Sequence, residues 1–141
     1  MKSLWITWES QRRNPGMAIK FEAELIKYDY IGYPSPLRYT ICVVLTLVSL
    51  LSRRPDYVFA PYPSAVLSLI LAAAKTGLRY TFIIDAHNYS IEAYQSAGFV
   101  GSITRWIFSR ADHILVTNAK AAGKLIGLPV LILPDALPNI N

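Results

Sequence analysis

Short apolar runs, rich in aromatic and β-branched residues, recur along this chain, and stretches with helical spacing separate them. That alternation constrains the fold more than any other feature. Strands spaced by helices pair in parallel, because parallel neighbours need long crossovers. Residues 4–8 predict the first strand, and a short helix follows over residues 16–23, with Pro15 at its start. Residues 25–30 predict a second strand. Pro34 and Pro36 open a helix that runs to about Ser52 and is ended by Pro55 and Asp56. A strand is expected at 57–60, then a helix over 65–76 with Ser64 as its N-cap and Gly77 as its stop. Residues 79–84 predict the fourth strand. Helix resumes at 90–96, breaks at Gly98 and continues to Arg110. Residues 112–117 form the fifth strand, Asn118 caps a short helix over 119–126 ended by Gly127, and 130–133 form the last strand. The expected fold is α/β: a doubly wound Rossmann-like parallel sheet with helices on both faces. Its strands should be apolar throughout, as Phe82-Ile83-Ile84 and Ile114-Leu115-Val116 are.

The 141 residues suffice for one domain, expected over residues 1–133, with residues 134–141 reading as a linker. Hydrophobic residues make up 53% and charged residues 16%, which excludes disorder as the main state. Cys42 is the only cysteine, which excludes a disulfide framework, and with His87 and His113 it offers no zinc-ligand spacing. No metal is expected. The net charge of +5 favours anionic partners. The first residues do not read as a signal peptide, because Glu9, Arg12 and Arg13 follow a very short apolar stretch. Residues 39–52 are uncharged, lie between Arg38 and the Arg53-Arg54 pair, and fall short of the ~20 residues a spanning helix needs. They fit either a helix lying on an anionic membrane face or a buried helix of the α/β domain. Pro61 and Pro63 divide the apolar stretch at 57–74 into a strand and a helix.

In open parallel sheets ligands bind at the carboxyl ends of strands. The residues that follow each expected strand are polar. Glu9, Ser10, Gln11, Arg12, Arg13 and Asn14 follow the first; Asp85, His87 and Asn88 follow the fourth; Asn118 and Lys120 follow the fifth. Arg12 and Arg13 suit a phosphate, since guanidinium forks match its oxygens, or form a solvated basic turn. Glu9 accepts from a sugar hydroxyl or pairs with an arginine. His87 is the sharpest candidate for contact with a sugar hydroxyl or for proton transfer. Asp85 reads as an orienting group or helix cap. His113 falls on the opposite rim and has no assigned role. Sequence patterns for a nucleoside-triphosphate loop, a Gly-x-Gly-x-x-Gly turn and a Gly-x-Ser-x-Gly elbow are missing. The basic residues are scattered and no aromatic RNA-binding signature occurs, so nucleic acid is not expected as a partner.

Four segments resemble the N-terminal domain of family 4 type glycosyltransferases with the GT-B fold. Trp5-Ile6-Thr7-Trp8-Glu9-Ser10-Gln11-Arg12-Arg13-Asn14 resembles the family's first strand and loop. Ile83-Ile84-Asp85-Ala86-His87-Asn88-Tyr89-Ser90 resembles its Asp-x-His-Asn segment, particularly that of β-mannosyltransferases acting on lipid-linked chitobiose, with Ala86 in place of a tryptophan. Ala111-Asp112-His113-Ile114-Leu115-Val116-Thr117-Asn118 resembles the fifth strand, and Leu133-Pro134-Asp135-Ala136-Leu137-Pro138 the interdomain junction. The likeness runs over nearly the whole chain.

The resemblance implies the acceptor-side half of a GT-B hexosyltransferase. The donor substrate would be a nucleotide-diphosphate sugar, the acceptor a lipid-linked or polysaccharide glycan, and no cofactor would be held. His87 would reach the donor sugar or assist proton transfer. Arg12 and Arg13 would hold phosphate, and Glu9, Asn14, Asp85, Asn88 and Asn118 would complete the binding rim. The donor domain and its paired-glutamate motif are not in these residues, so the chain by itself is expected to transfer no sugar. A C-terminal donor domain or a separate donor-binding subunit would complete it. The expected location is the cytoplasm, peripherally on the inner face of the membrane through residues 39–52. The alternative is a non-catalytic membrane-associated scaffold or anchor subunit of a two-component glycosyltransferase. Half of a nucleotide-sugar epimerase, which shares the GT-B architecture, is a third possibility.

Overall fold

The computed structural model describes residues 1–62 and 64–134. Its elements follow the order β1 (Ser3–Thr7), α1 (Arg13–Lys20), β2 (Glu24–Lys27), α2 (Ser35–Arg53), β3 (Tyr57–Tyr62), α3 (Ala65–Leu78), β4 (Thr81–Ala86), α4 (Asn88–Gln95), α5 (Gly98–Arg110), β5 (His113–Val116), α6 (Ala119–Gly123) and β6 (Val130–Ile132). The six strands form one sheet in the order β2-β1-β3-β4-β5-β6. Every adjacent pair is parallel. The Rossmann-like α/β fold expected from the alternation is thus the fold observed.

Alternate residues of each strand point to opposite faces, and the two faces are covered differently. Leu4, Ile6, Val58, Phe82, Ile84 and Ile114 pack with residues of α2 to α6 in the larger core. Trp5, Phe59, Ile83 and Leu115 pack on the other face against Met17 and Ala18 of α1. Trp5 is fully buried and stacks on Phe59 at 5.4 Å between ring centroids. The chain moves from β1 to β2 in one direction and from β2 back across β1 to β3 in the other. The switch point therefore lies between β1 and β3, where the carboxyl-end crevice of such sheets opens.

Element boundaries differ from the sequence expectation in ways with clear causes. Helix α1 begins at Arg13, three residues before the expected start, and Pro15 sits inside its first turn. A proline is tolerated there because first-turn amides have no acceptor in the helix. Gly77 does not stop α3; the helix continues to Leu78 and is closed by Arg79 in the left-handed region at φ 57°. Ser64 precedes α3 but makes no side-chain cap. The second strand spans only Glu24–Lys27, because β2 is an edge strand that ends where β1 ends, Thr7 pairing with Lys27. In contrast, β3 and β4 run two residues further than expected, through the register Pro61↔Asp85 and Tyr62↔Ala86. Pro61 is accommodated within β3, and Asp85 becomes a strand residue. The expected linker over 134–141 lies, apart from Pro134, outside the described residues.

At the opposite rim Asp112 accepts from the Phe82 N–H at 2.8 Å and pairs with Lys75 at 2.7 Å. Burial alone would raise its pKa; the bonds from Lys75 and Phe82 outweigh that and hold it below the usual carboxylate value. The pair ties α3 to β4 and β5 and has no part in the ligand-facing rim.

Candidate functional site

The rim at the carboxyl ends of β1, β4 and β6 is joined by one ion pair. Arg13, on the first turn of α1, donates from Nε to both oxygens of Asp85, at 3.2 and 2.9 Å. Its Nη2 donates to the Leu133 carbonyl at 3.3 Å. Asp85 is 1% exposed and the Arg13 side chain 11%. Arg13 is thus engaged with protein groups on β4 and just after β6, and the phosphate role expected for it has to fall elsewhere. Arg12, one residue earlier, is exposed and makes no hydrogen bond or ion pair among the described residues.

Asn14 is likewise turned inward. It is buried, accepts from Trp5 Nε1 at 3.1 Å and donates to Thr7 Oγ1 at 3.2 Å. Both ends of its amide are used, so it shapes the β1–α1 turn and does not face a ligand. Thr7 Oγ1 extends the network by donating to the Glu9 carbonyl at 2.8 Å and accepting from the Glu9 N–H. The Glu9 carboxylate is half exposed and lies 3.7 Å from Arg38 Nη2, which realises the arginine pairing weighed for it from sequence. Gln11, not assigned a role from sequence, leaves its buried Oε1 without a partner among the described residues. No sequence signal marks that atom, since a glutamine in a polar turn reads as solvated.

His87 closes β4 and occupies the N-cap position of α4 with extended backbone. Its carbonyl accepts from the Ser90 N–H at 2.9 Å and the Ser90 hydroxyl at 2.6 Å, so the main chain does the capping and leaves the imidazole for other contacts. The side chain is 31% exposed, with Nε2 at 3.7 Å from Asp85 Oδ2. That separation is too long for a hydrogen bond, and Nε2 has no partner among the described residues. Asp85 therefore sits between a guanidinium and an imidazole and does not cap α4. Asn88 and Tyr89 lie exposed on the first turn of α4. Asn118 caps α6, accepting from the Ala121 N–H at 2.8 Å while its Nδ2 donates to Thr117. It also lines the cleft between α4 and α6. The structure brings Arg13, Asp85 and His87 into one cluster and spreads Glu9, Arg12, Asn88 and Asn118 around it.

Helix α2 shows a second unusual feature. Its buried positions are Cys42, Thr46, Ser49 and Leu50, so half of its inward stripe carries hydroxyls. Trp8 Nε1 donates to Thr46 Oγ1 at 2.9 Å, and the Tyr28 hydroxyl bonds Ser49. Its outward stripe, Leu37, Val44, Val48 and Leu51, is apolar and about half exposed. Its buried Cys42 and Leu50 join the larger core, as expected of a helix of the α/β domain, while 22% of its most apolar stretch is buried.

The fold is that of a Rossmann-like α/β domain with polar groups at the carboxyl ends of its strands. Comparison with protein-family models, curated proteins and solved structures gives no significant match.

Proposed function

We propose that this domain is the acceptor-side half of a GT-B hexosyltransferase that moves a hexose from a nucleotide-diphosphate sugar to a lipid-linked or polysaccharide acceptor. The observation that carries the reading is His87 at the end of β4, its side chain 31% exposed on the carboxyl-end rim while its buried Nε2 is turned toward the Arg13–Asp85 pair. An imidazole so placed can hydrogen-bond a sugar hydroxyl or move a proton. Arg12 supplies the available cation of the β1 loop for phosphate, and Glu9 and Asn88 accept from or donate to hydroxyls. Departure of the nucleotide needs electrostatic stabilisation from a donor-binding half, on this polypeptide or another.

Hydrogen exchange in the presence of lipid-linked chitobiose tests the reading. Amides of residues 9–14 and 85–89 are expected to become protected. Absence of protection at both loops sinks the acceptor-side assignment and leaves the scaffold or anchor reading.

That second reading has its own support in α2. An outward apolar stripe followed by the exposed Arg54, with Arg53 paired to Glu24, fits a helix lying on an anionic membrane surface, at the cytoplasmic face. A membrane-contacting half serves either an enzyme with a lipid-linked acceptor or an anchor. Val44→Glu with Val48→Glu places two charges on the stripe without entering the core. Because each buried valine contributes ~1.5–3 kcal/mol, flotation with phosphatidylglycerol vesicles should fall at least about tenfold while the circular dichroism spectrum is unchanged. Undiminished flotation would rule out α2 as the contact.

A further inference from the structure

Across the same rim, α4 and α6 border a cleft of about 260 Å³ that shares only Asn88 with the reading above. Asn88, Ile91 and Glu92 line one wall at i, i+3 and i+4, which is one face of α4. Lys120 and Lys124 line the other, also four residues apart. Among the described residues none of Glu92, Lys120 and Lys124 makes an ion pair. Two ammonium groups and one carboxylate therefore face a single small cleft with all their hydrogen-bonding capacity open, around an apolar floor of Ile91 and Ala121.

We infer that this cleft binds a phosphorylated sugar or similar phosphorylated polyol. Two lysines bordering one space repel each other, and a phosphate dianion relieves that repulsion while accepting from both. Glu92 accepts hydrogen bonds only, so it selects hydroxyl donors on the ligand, and Asn88 supplies either polarity. The apolar floor receives the C–H face of a sugar ring. Its volume, below the roughly 300–1,000 Å³ of pockets for drug-sized ligands, suits a single phosphorylated ring. Glu92 also repels a bare phosphate, which makes the hydroxyls part of the recognition. The inference stands on Glu92, Lys120 and Lys124 of the cleft, none of which the sugar-transfer reading uses.

Titration of this chain followed by amide NMR tests it, with glucose 6-phosphate, glucose and inorganic phosphate as separate ligands. Vesicles of phosphatidylglycerol present the same phosphate-and-hydroxyl chemistry on a lipid. Glucose 6-phosphate is expected to shift the amides of residues 88–92 and 118–124 and to bind more tightly than glucose or phosphate. If instead the vesicles alone shift those amides, the ligand is a lipid head group of the same chemistry, and the inference holds. Lys120→Ala with Lys124→Ala should weaken binding about tenfold or more, and Lys120→Arg with Lys124→Arg should retain it. Glu92→Ala should lower the preference for glucose 6-phosphate over inorganic phosphate. Both lysines are exposed, so these variants keep the fold. The inference is overturned if neither glucose 6-phosphate nor the vesicles shifts these amides, if the alanine pair binds as the wild type does, or if inorganic phosphate binds as tightly as glucose 6-phosphate.

Discussion

Arg13→Met is expected to lower the stability of this domain by about 3–5 kcal/mol, the largest loss of any single substitution on the rim. The reason lies in what is left behind. Asp85 is 1% exposed, and removing the guanidinium strands its carboxylate in the interior of the sheet end. The pair itself gains little net stability, because desolvation of two charges offsets most of their attraction. Asp85→Asn should therefore cost clearly less. It sets a neutral amide beside the guanidinium, and Arg13 is the more exposed partner and keeps its bond to the Leu133 carbonyl. The double variant Arg13→Met with Asp85→Asn should be less destabilised than the sum of the two, since the second change neutralises the charge orphaned by the first. Urea denaturation of the four proteins measures all of this. If Asp85→Asn proved as damaging as Arg13→Met, the carboxylate would be anchored by groups other than the guanidinium and this account of the rim would fail.

The pair also explains why the rim has a fixed shape. Arg13 belongs to α1, Asp85 to β4, and Leu133 follows β6, so one side chain links segments up to 120 residues apart in sequence. No local pattern announces such a link. From the sequence, Arg12 and Arg13 are equivalent neighbours in a basic turn. The register Pro61↔Asp85 separates them, because it draws Asp85 into β4 and places it within reach of Arg13.

The architecture was legible for a physical reason. Buried parallel strands must be apolar on both faces, so each core strand marks itself, and the helices between them follow from the crossover length. What was not legible depends on partners distant in sequence. Gly77 looks like a helix stop, yet continued packing of α3 carries the chain on to Leu78, and Arg79 adopts the left-handed cap at φ 57°. Asn14 reads as a rim ligand, yet Trp5 Nε1 needs an acceptor and takes it. Helix α2 was half legible: the lack of charge over residues 39–52 was visible, but not that Thr46 and Ser49 face inward beside Cys42 and Leu50. Trp8 and Tyr28 bring buried polar tips to those hydroxyls from the rest of the chain. The α4–α6 cleft escaped because Glu92 and Lys124 lie on separate helices that only the fold brings together.

On the proposed sugar-transfer reading, His87→Ala in the complete enzyme is expected to reduce the rate of transfer by about 10²–10⁴-fold, the range that general acid–base groups supply. The geometry makes this test clean. The backbone of His87 caps α4 through its carbonyl, and that bond to Ser90 survives loss of the ring. The imidazole has no hydrogen-bond partner at Nε2 among the described residues, so its removal breaks no buried bond there. Stability should change by about 1 kcal/mol or less, well below the Arg13→Met effect, and the two consequences separate. A histidine that only positions substrate would raise KM and spare kcat, whereas one that acts in the transition state lowers kcat. Steady-state kinetics with donor and acceptor varied in turn distinguish these. A transfer rate within about twofold of wild type, far short of the acid–base range, would remove His87 from the chemistry. The Arg13–Asp85 pair would then stand as a structural clasp, and the catalytic group would have to come from the donor-binding half.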